Sequence, residues 1–129
     1  MTLLRFGSPN GVTETMDTLV DAVERRGMRI FARIDHAGAA RAVGLELADE
    51  ELLVFGDPRA GTLLMRSDPE VGYELPIRML VRDVGGEAEI AYRPVSELSK
   101  SYKLDEQGEV LERIEGLLGE LAREARGAT

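Results

Sequence analysis

Hydrophobic and polar positions change their period several times along this chain, and each change marks an element. Thr2 to Phe6 is a short, partly apolar run that stops at Gly7-Ser8-Pro9-Asn10-Gly11, a cluster of turn formers, so it reads as a strand and a loop. From Thr13 the period becomes helical: Met16, Leu19, Val20 and Val23 recur at i, i+3, i+4 and i+7. That stripe predicts an amphipathic helix from Thr13 to Arg26, with Thr13 as N-cap, Val12 packing on Met16, and Gly27 as the left-handed stop. Met28 to Asp35 then sets Met28, Ile30, Ala32 and Ile34 on one face and Arg29, Phe31, Arg33 and Asp35 on the other, which is the period of a half-exposed strand. Ala37 to Val43 is alanine-rich and predicts a short helix. Leu45 to Glu51 has too many acids and too little period to assign. Leu52-Leu53-Val54-Phe55 is a continuous apolar run, expected as a strand covered on both faces and central in a sheet.

The second half continues the alternation. Asp57 caps a predicted helix that opens with Pro58, runs through Leu63, Leu64 and Met65, and ends at Asp68-Pro69. Ile77 to Val84 and Glu87 to Tyr92 alternate as strands around Gly85-Gly86, the pattern of a hairpin. Pro94 to Tyr102 reads as a short helical turn. A terminal helix at about residues 105–126 carries Val110, Leu111, Ile114, Leu117, Leu118 and Leu121 on one stripe; Gly116 and Gly119 within it need either a close packing partner or a frayed end. The order predicts an α+β fold, a single compact domain over residues 1–129. Its mixed sheet of about five strands has a C-terminal hairpin pair and flanking helices: the hairpin is antiparallel, and the helical crossovers allow parallel pairs.

Composition narrows what such a domain does. With 24 acids against 16 bases the chain carries a net charge of −8, and the bases are spread rather than clustered, so neither nucleic acid nor a membrane surface is an expected partner. No stretch approaches the roughly 18 apolar residues of a spanning helix, and the N-terminus has no secretory pattern, which makes the cytoplasm the expected location. The chain has no cysteine, which removes disulfide scaffolds, thiolate metal sites and cysteine nucleophiles.

The remaining chemistry is sparse. His36 is the one histidine and follows Asp35 at a strand end, so the two are candidates for acid-base work; the competing reading is that they cap the next helix. One histidine with no cysteine leaves no expected metal site, and the acids Asp49-Glu50-Glu51 read as a solvated loop rather than an oxygen cage. Gly56 and Gly61 have the spacing of a phosphate-binding loop between a strand and a helix. Thr62-Leu63 stands where that motif needs Lys-Ser/Thr, and Asp57 repels a phosphate. A capped turn is the plainer reading; a small anion or polar group at this helix start is the functional one. No motif assigns a cofactor or a reaction.

The runs Phe31-Ala32-Arg33-Ile34-Asp35-His36-Ala37, Gly44-Leu45-Glu46-Leu47 and Leu52 to Met65, followed by Asp68-Pro69, Leu75-Pro76 and the strand from Ile77, resemble the family called domain of unknown function 302 over most of residues 3 to 95. Asp57 stands where many relatives have asparagine. The resemblance implies a compact α+β domain, often a free-standing bacterial cytoplasmic protein, and a dimer; it implies no reaction. The leading expectation is therefore a small-ligand-binding homodimer whose site joins His36 to Gly56, Asp57, Gly61 and Thr62. The rival is an enzyme using His36 as general acid or base with Asp35 or Asp57. The shared site requires the strands before His36 and before Gly56 to be parallel neighbours, with their ends on one rim.

Overall fold

A computed structural model describes residues 2–127. Five strands, β1 (Leu4–Ser8), β2 (Arg29–Asp35), β3 (Glu50–Gly56), β4 (Ile77–Val84) and β5 (Glu87–Tyr92), alternate with four helices, α1 (Val12–Arg25), α2 (His36–Ala42), α3 (Pro58–Ser67) and α4 (Gly108–Ala125). Three 3-10 turns, Pro69–Glu74, Val95–Lys100 and Asp105–Gln107, fill the longer connections. The sheet order is β1-β5-β4-β3-β2.

Every pairing in this sheet is antiparallel, which corrects the expected mixed sheet. A parallel return from β2 to β3 would have to carry the chain back along the whole strand, about 23 Å for seven residues. Helix α2 has only seven residues and rises about 10 Å. The chain instead turns over at the end of β2, and Asp35 pairs with Glu51. Likewise α3 and the 3-10 turn after it return to the end of the sheet they left, so that Ile77 pairs with Phe55. Only α1 crosses the sheet from edge to edge, joining β1 to β2.

Alternation then decides what is buried. Leu53 and Phe55 of β3, Met79 and Val81 of β4, and Ala88, Ile90 and Tyr92 of β5 point to one face and form the core with Met16, Leu19 and Val23 of α1 and Leu118, Leu121 and Ala122 of α4. A large apolar side chain buried this way contributes about 1.5–3 kcal/mol relative to exposure. The opposite face, with Leu52, Val54 and Leu80, lies outside this core and is only partly buried. Gly85 and Gly86 take φ of 63° and 96°, the left-handed geometry the tight hairpin needs.

Some local expectations shift. Helix α1 starts at Val12 behind Gly11, with no side-chain cap, and the Thr13 hydroxyl donates instead to Glu51 at 3.2 Å. Glu50 and Glu51 belong to β3 rather than to a loop. Glu51 is 7% exposed and accepts from Arg33 Nε at 2.7 Å, and Arg33 also holds Asp17 at 2.7 Å. A buried carboxylate persists here because its charge is paired and hydrogen-bonded.

Candidate functional site

The two candidate segments lie at opposite ends of the sheet. Asp35 is opposite Glu51, whereas Gly56 is opposite Arg29, five residues further along β3, or about 17 Å of strand. His36 therefore shares no rim with Asp57, and the site expected to join them does not form.

At the first end, Asp35 is the N-cap of α2. Its Oδ1 accepts from the Gly38 N–H at 2.8 Å, and its other oxygen lies 3.9 Å from Arg41. The cap is tight: a Cβ at Gly38 would stand 2.5 Å from Asp35 Oδ2. His36 is the first residue of α2 and half-buried, and it lines neither of the two clefts described below. Among the described residues, no three His, Asp or Glu side chains gather as a metal site requires.

At the other end, Asp57 caps α3 by accepting from the Arg59 N–H at 3.0 Å, with Pro58 at the first helical position. The Thr62 hydroxyl donates to the Pro58 carbonyl at 2.6 Å and is thus used by the helix itself. Gly56 and Gly61 both have negative φ, and added Cβ atoms would meet only ordinary neighbours, Pro76 at 3.9 Å and Leu75 at 3.7 Å. These glycines are thus not demanded by the turn; they keep its surface low.

What the turn borders is a cleft of about 610 Å³ between α3, the ends of β3 and β4, and the first half of α4. Gly56, Asp57, Gly61 and Thr62 line it, together with apolar Met28, Ile77, Val110, Ile114 and Leu117 and with Arg26, Arg59 and Arg113. Arg26 is committed to Glu124 at 2.7 Å. Arg59 and Arg113 are exposed and, among the described residues, take part in no ion pair. Reading the sequence from residue to neighbouring residue missed Arg113, Ile114 and Leu117, because α4 reaches the cleft from more than fifty residues away. Leu117 and Ile114 were visible only as part of a helical stripe.

A smaller cleft of about 270 Å³ lies at the same end, between the start of β4 and the end of β5. Its carboxylate is already matched. Glu74 accepts from Arg93 at 2.9 Å and from the Tyr102 hydroxyl at 2.8 Å, a bond that raises the Tyr102 hydroxyl pKa above its ordinary value.

A five-stranded antiparallel sheet with helices on one face defines an α+β domain, and the larger of its two described clefts lies at the Gly56–Thr62 turn. The chain belongs to the family "Domain of unknown function DUF302", whose model matches residues 4–121. The crystal structure of an uncharacterized conserved DUF302 protein from Bacillus stearothermophilus superposes with a TM-score of 0.85 at 19% identity, covering 98% of this chain and 99% of the other, a likeness of fold. Among curated relatives, fluoride-specific ion channel FluC 1 of Brucella suis biovar 1 and FluC 1 of Brucella abortus biovar 1 are each 37% identical over 83 residues, 64% of this chain. The match spans about a third of the length of those relatives, 33% and 31%.

Proposed function

We propose that this chain is a cytoplasmic, homodimeric binding domain that takes one small amphiphilic anion, an apolar body with a single acidic group, in the cleft at the Gly56–Thr62 turn. The observation that carries this is the pairing of a mostly apolar cleft of about 610 Å³ with the two uncommitted guanidiniums of Arg59 and Arg113 at its edge. A volume of that size fits a small organic molecule, and such sites combine apolar walls with a few orienting polar groups. The cytoplasmic and dimeric parts come from the family resemblance. His36 takes no part in this reading, and the enzyme reading has less support: Asp35 is occupied as a helix cap, and Asp57 is a strand's length away. Channel activity is not carried over from the Brucella relatives, because the match covers a third of them and no described helix is long and apolar enough to cross a membrane.

The test is calorimetric titration with decanoate and with decanol. Decanoate is expected to bind more tightly. Arg59→Ala combined with Arg113→Ala should weaken decanoate about two- to thirtyfold while leaving decanol unchanged, since exposed ion pairs contribute about 0.2–1 kcal/mol each. Equal binding of acid and alcohol to the native chain, or no binding of either, overturns the proposal.

A further inference from the structure

The ladder between β4 and β5 stops short. Its last pair is Leu80 with Ala91, although β4 begins at Ile77 and β5 runs on to Tyr92, which is still paired with Leu4 of β1. In the same register the next pair on that face would set Arg78 opposite Arg93, and Ile77 would meet Pro94, which has no N–H to donate. Like charges directly across a ladder destabilise it, and proline ends it. The two strands fork here, and the smaller cleft, about 270 Å³, occupies the fork. Its outer part lies over Leu3, Leu52, Leu80 and Ala91, and its depth reaches Tyr92, Leu98 and Leu118 of the core. We propose that this fork is a second ligand site, separate from the cleft at the Gly56–Thr62 turn, and that it takes a small aromatic carboxylate, the ring between the strands and the acid at Arg78.

Charge selects the acid. Arg78 lines the cleft and enters no ion pair among the described residues. Glu74, the carboxylate in the lining, is engaged at both oxygens by Arg93 and Tyr102. Arg93 in turn is only half satisfied: it gives one N–H to Glu74, while its Nε is buried with no hydrogen-bond partner and stands 3.7 Å from Glu97. This end of the cleft thus holds guanidinium donors in excess, and a planar carboxylate is the acceptor that matches a guanidinium fork. Shape selects the ring. A cavity of about 270 Å³ lies just under the range of roughly 300–1,000 Å³ that holds drug-sized molecules, so it suits one small ring. An opening between two extended strands admits a flat body more readily than a coiled alkyl chain. Tyr92, whose ring stacks on Phe6 at 5.9 Å, supplies an aromatic wall.

The probes are benzoate and its neutral counterpart benzyl alcohol, titrated into the full chain and followed by methyl resonances. Benzoate is expected to bind saturably, with a dissociation constant on the order of 1 mM for so small a molecule, and more tightly than the alcohol. It should shift the methyls of Leu52, Leu80, Val95 and Leu98 and leave those of Val110, Ile114 and Leu117 in the other cleft in place. Arg78→Glu, which turns an attraction into a repulsion, should weaken benzoate at least fivefold, whereas the Arg59→Ala, Arg113→Ala double variant should leave it unchanged. The methyl map of the native chain does not depend on any variant folding. Shifts confined to Val110, Ile114 and Leu117, equal binding of acid and alcohol, or no saturable binding overturns this site. Decanoate reports on the other cleft, so either proposal can fail while the other stands.

Discussion

Glu124 on α4 accepts hydrogen bonds from Arg26 at 2.7 Å and from Arg25 at 3.0 Å, both at the C-terminal end of α1, and these bonds hold its carboxyl down to about 2. A carboxyl lowered by folding stabilises fully above its ordinary value of 4.5, and that contribution disappears as pH falls through about 2. Glu124→Gln is therefore expected to lower the urea midpoint at pH 7, with the gap to the native chain closing between pH 4.5 and 2. Urea unfolding at pH 7, 4 and 2.5 measures this, and a gap that stays constant refutes it. Such a clamp was invisible in the sequence, since its partners are separated by 98 residues. The caps at Asp35 and Asp57 were legible, because a cap joins residues two or three positions apart and its chemistry is local. Thr13 shows the limit of local reasoning: it is a good cap by type, but two further residues of helix replaced it with Gly11 and turned its hydroxyl toward a strand.

At the scale of elements, hydrophobic period located all five strands and four helices because it reports which side of an element is buried. Strand direction is a different matter. Nothing in the composition of residues 36–49 says that the chain reverses, since a connection of fourteen residues is long enough for either return, and the expected shared rim was lost with the parallel pair. The terminal helix α4 carries a separate consequence. Added Cβ atoms at Gly116 and Gly119 meet nothing within 4 Å, so neither a close helix contact nor a bend demands glycine there. Gly116→Ala and Gly119→Ala should each stabilise the chain by about 0.8–1 kcal/mol, through helix propensity alone. Chemical denaturation of each variant tests this, together with light scattering to show that the oligomeric state is unchanged. Destabilisation by either substitution would mean that another surface occupies that space.

For the molecule as a whole, the core was legible and the cleft was not. The core follows from stripes that each segment displays by itself, whereas the cleft exists only where α3, α4 and two strand ends converge. The same holds for charge: −8 is read from composition, but only the register shows that the sheet face away from the core, with Arg5, Arg29, Arg78 and Arg82 against Glu50, Glu87 and Glu89, sums to +1. That imbalance makes a prediction about salt. Screening shortens the reach of charge to about 10 Å at 0.1 M and less above it. If the chain is the homodimer proposed above, raising sodium chloride from 50 to 500 mM should thus tighten self-association several-fold, as measured by sedimentation equilibrium; weakening would show that ion pairs between the copies outweigh the repulsion of their net charges. The irregularity of β2 between Ile30 and Ala32, where Phe31 is the extra residue with Arg29 stacked 5.2 Å above its ring, bears on a hazard common to open sheets. An edge strand that is flat and regular is a template onto which further chains can add without end, the first step toward a fibril. By twisting the border strand and spoiling its hydrogen-bond ladder, the bulge withholds that template at the β2 edge of the sheet.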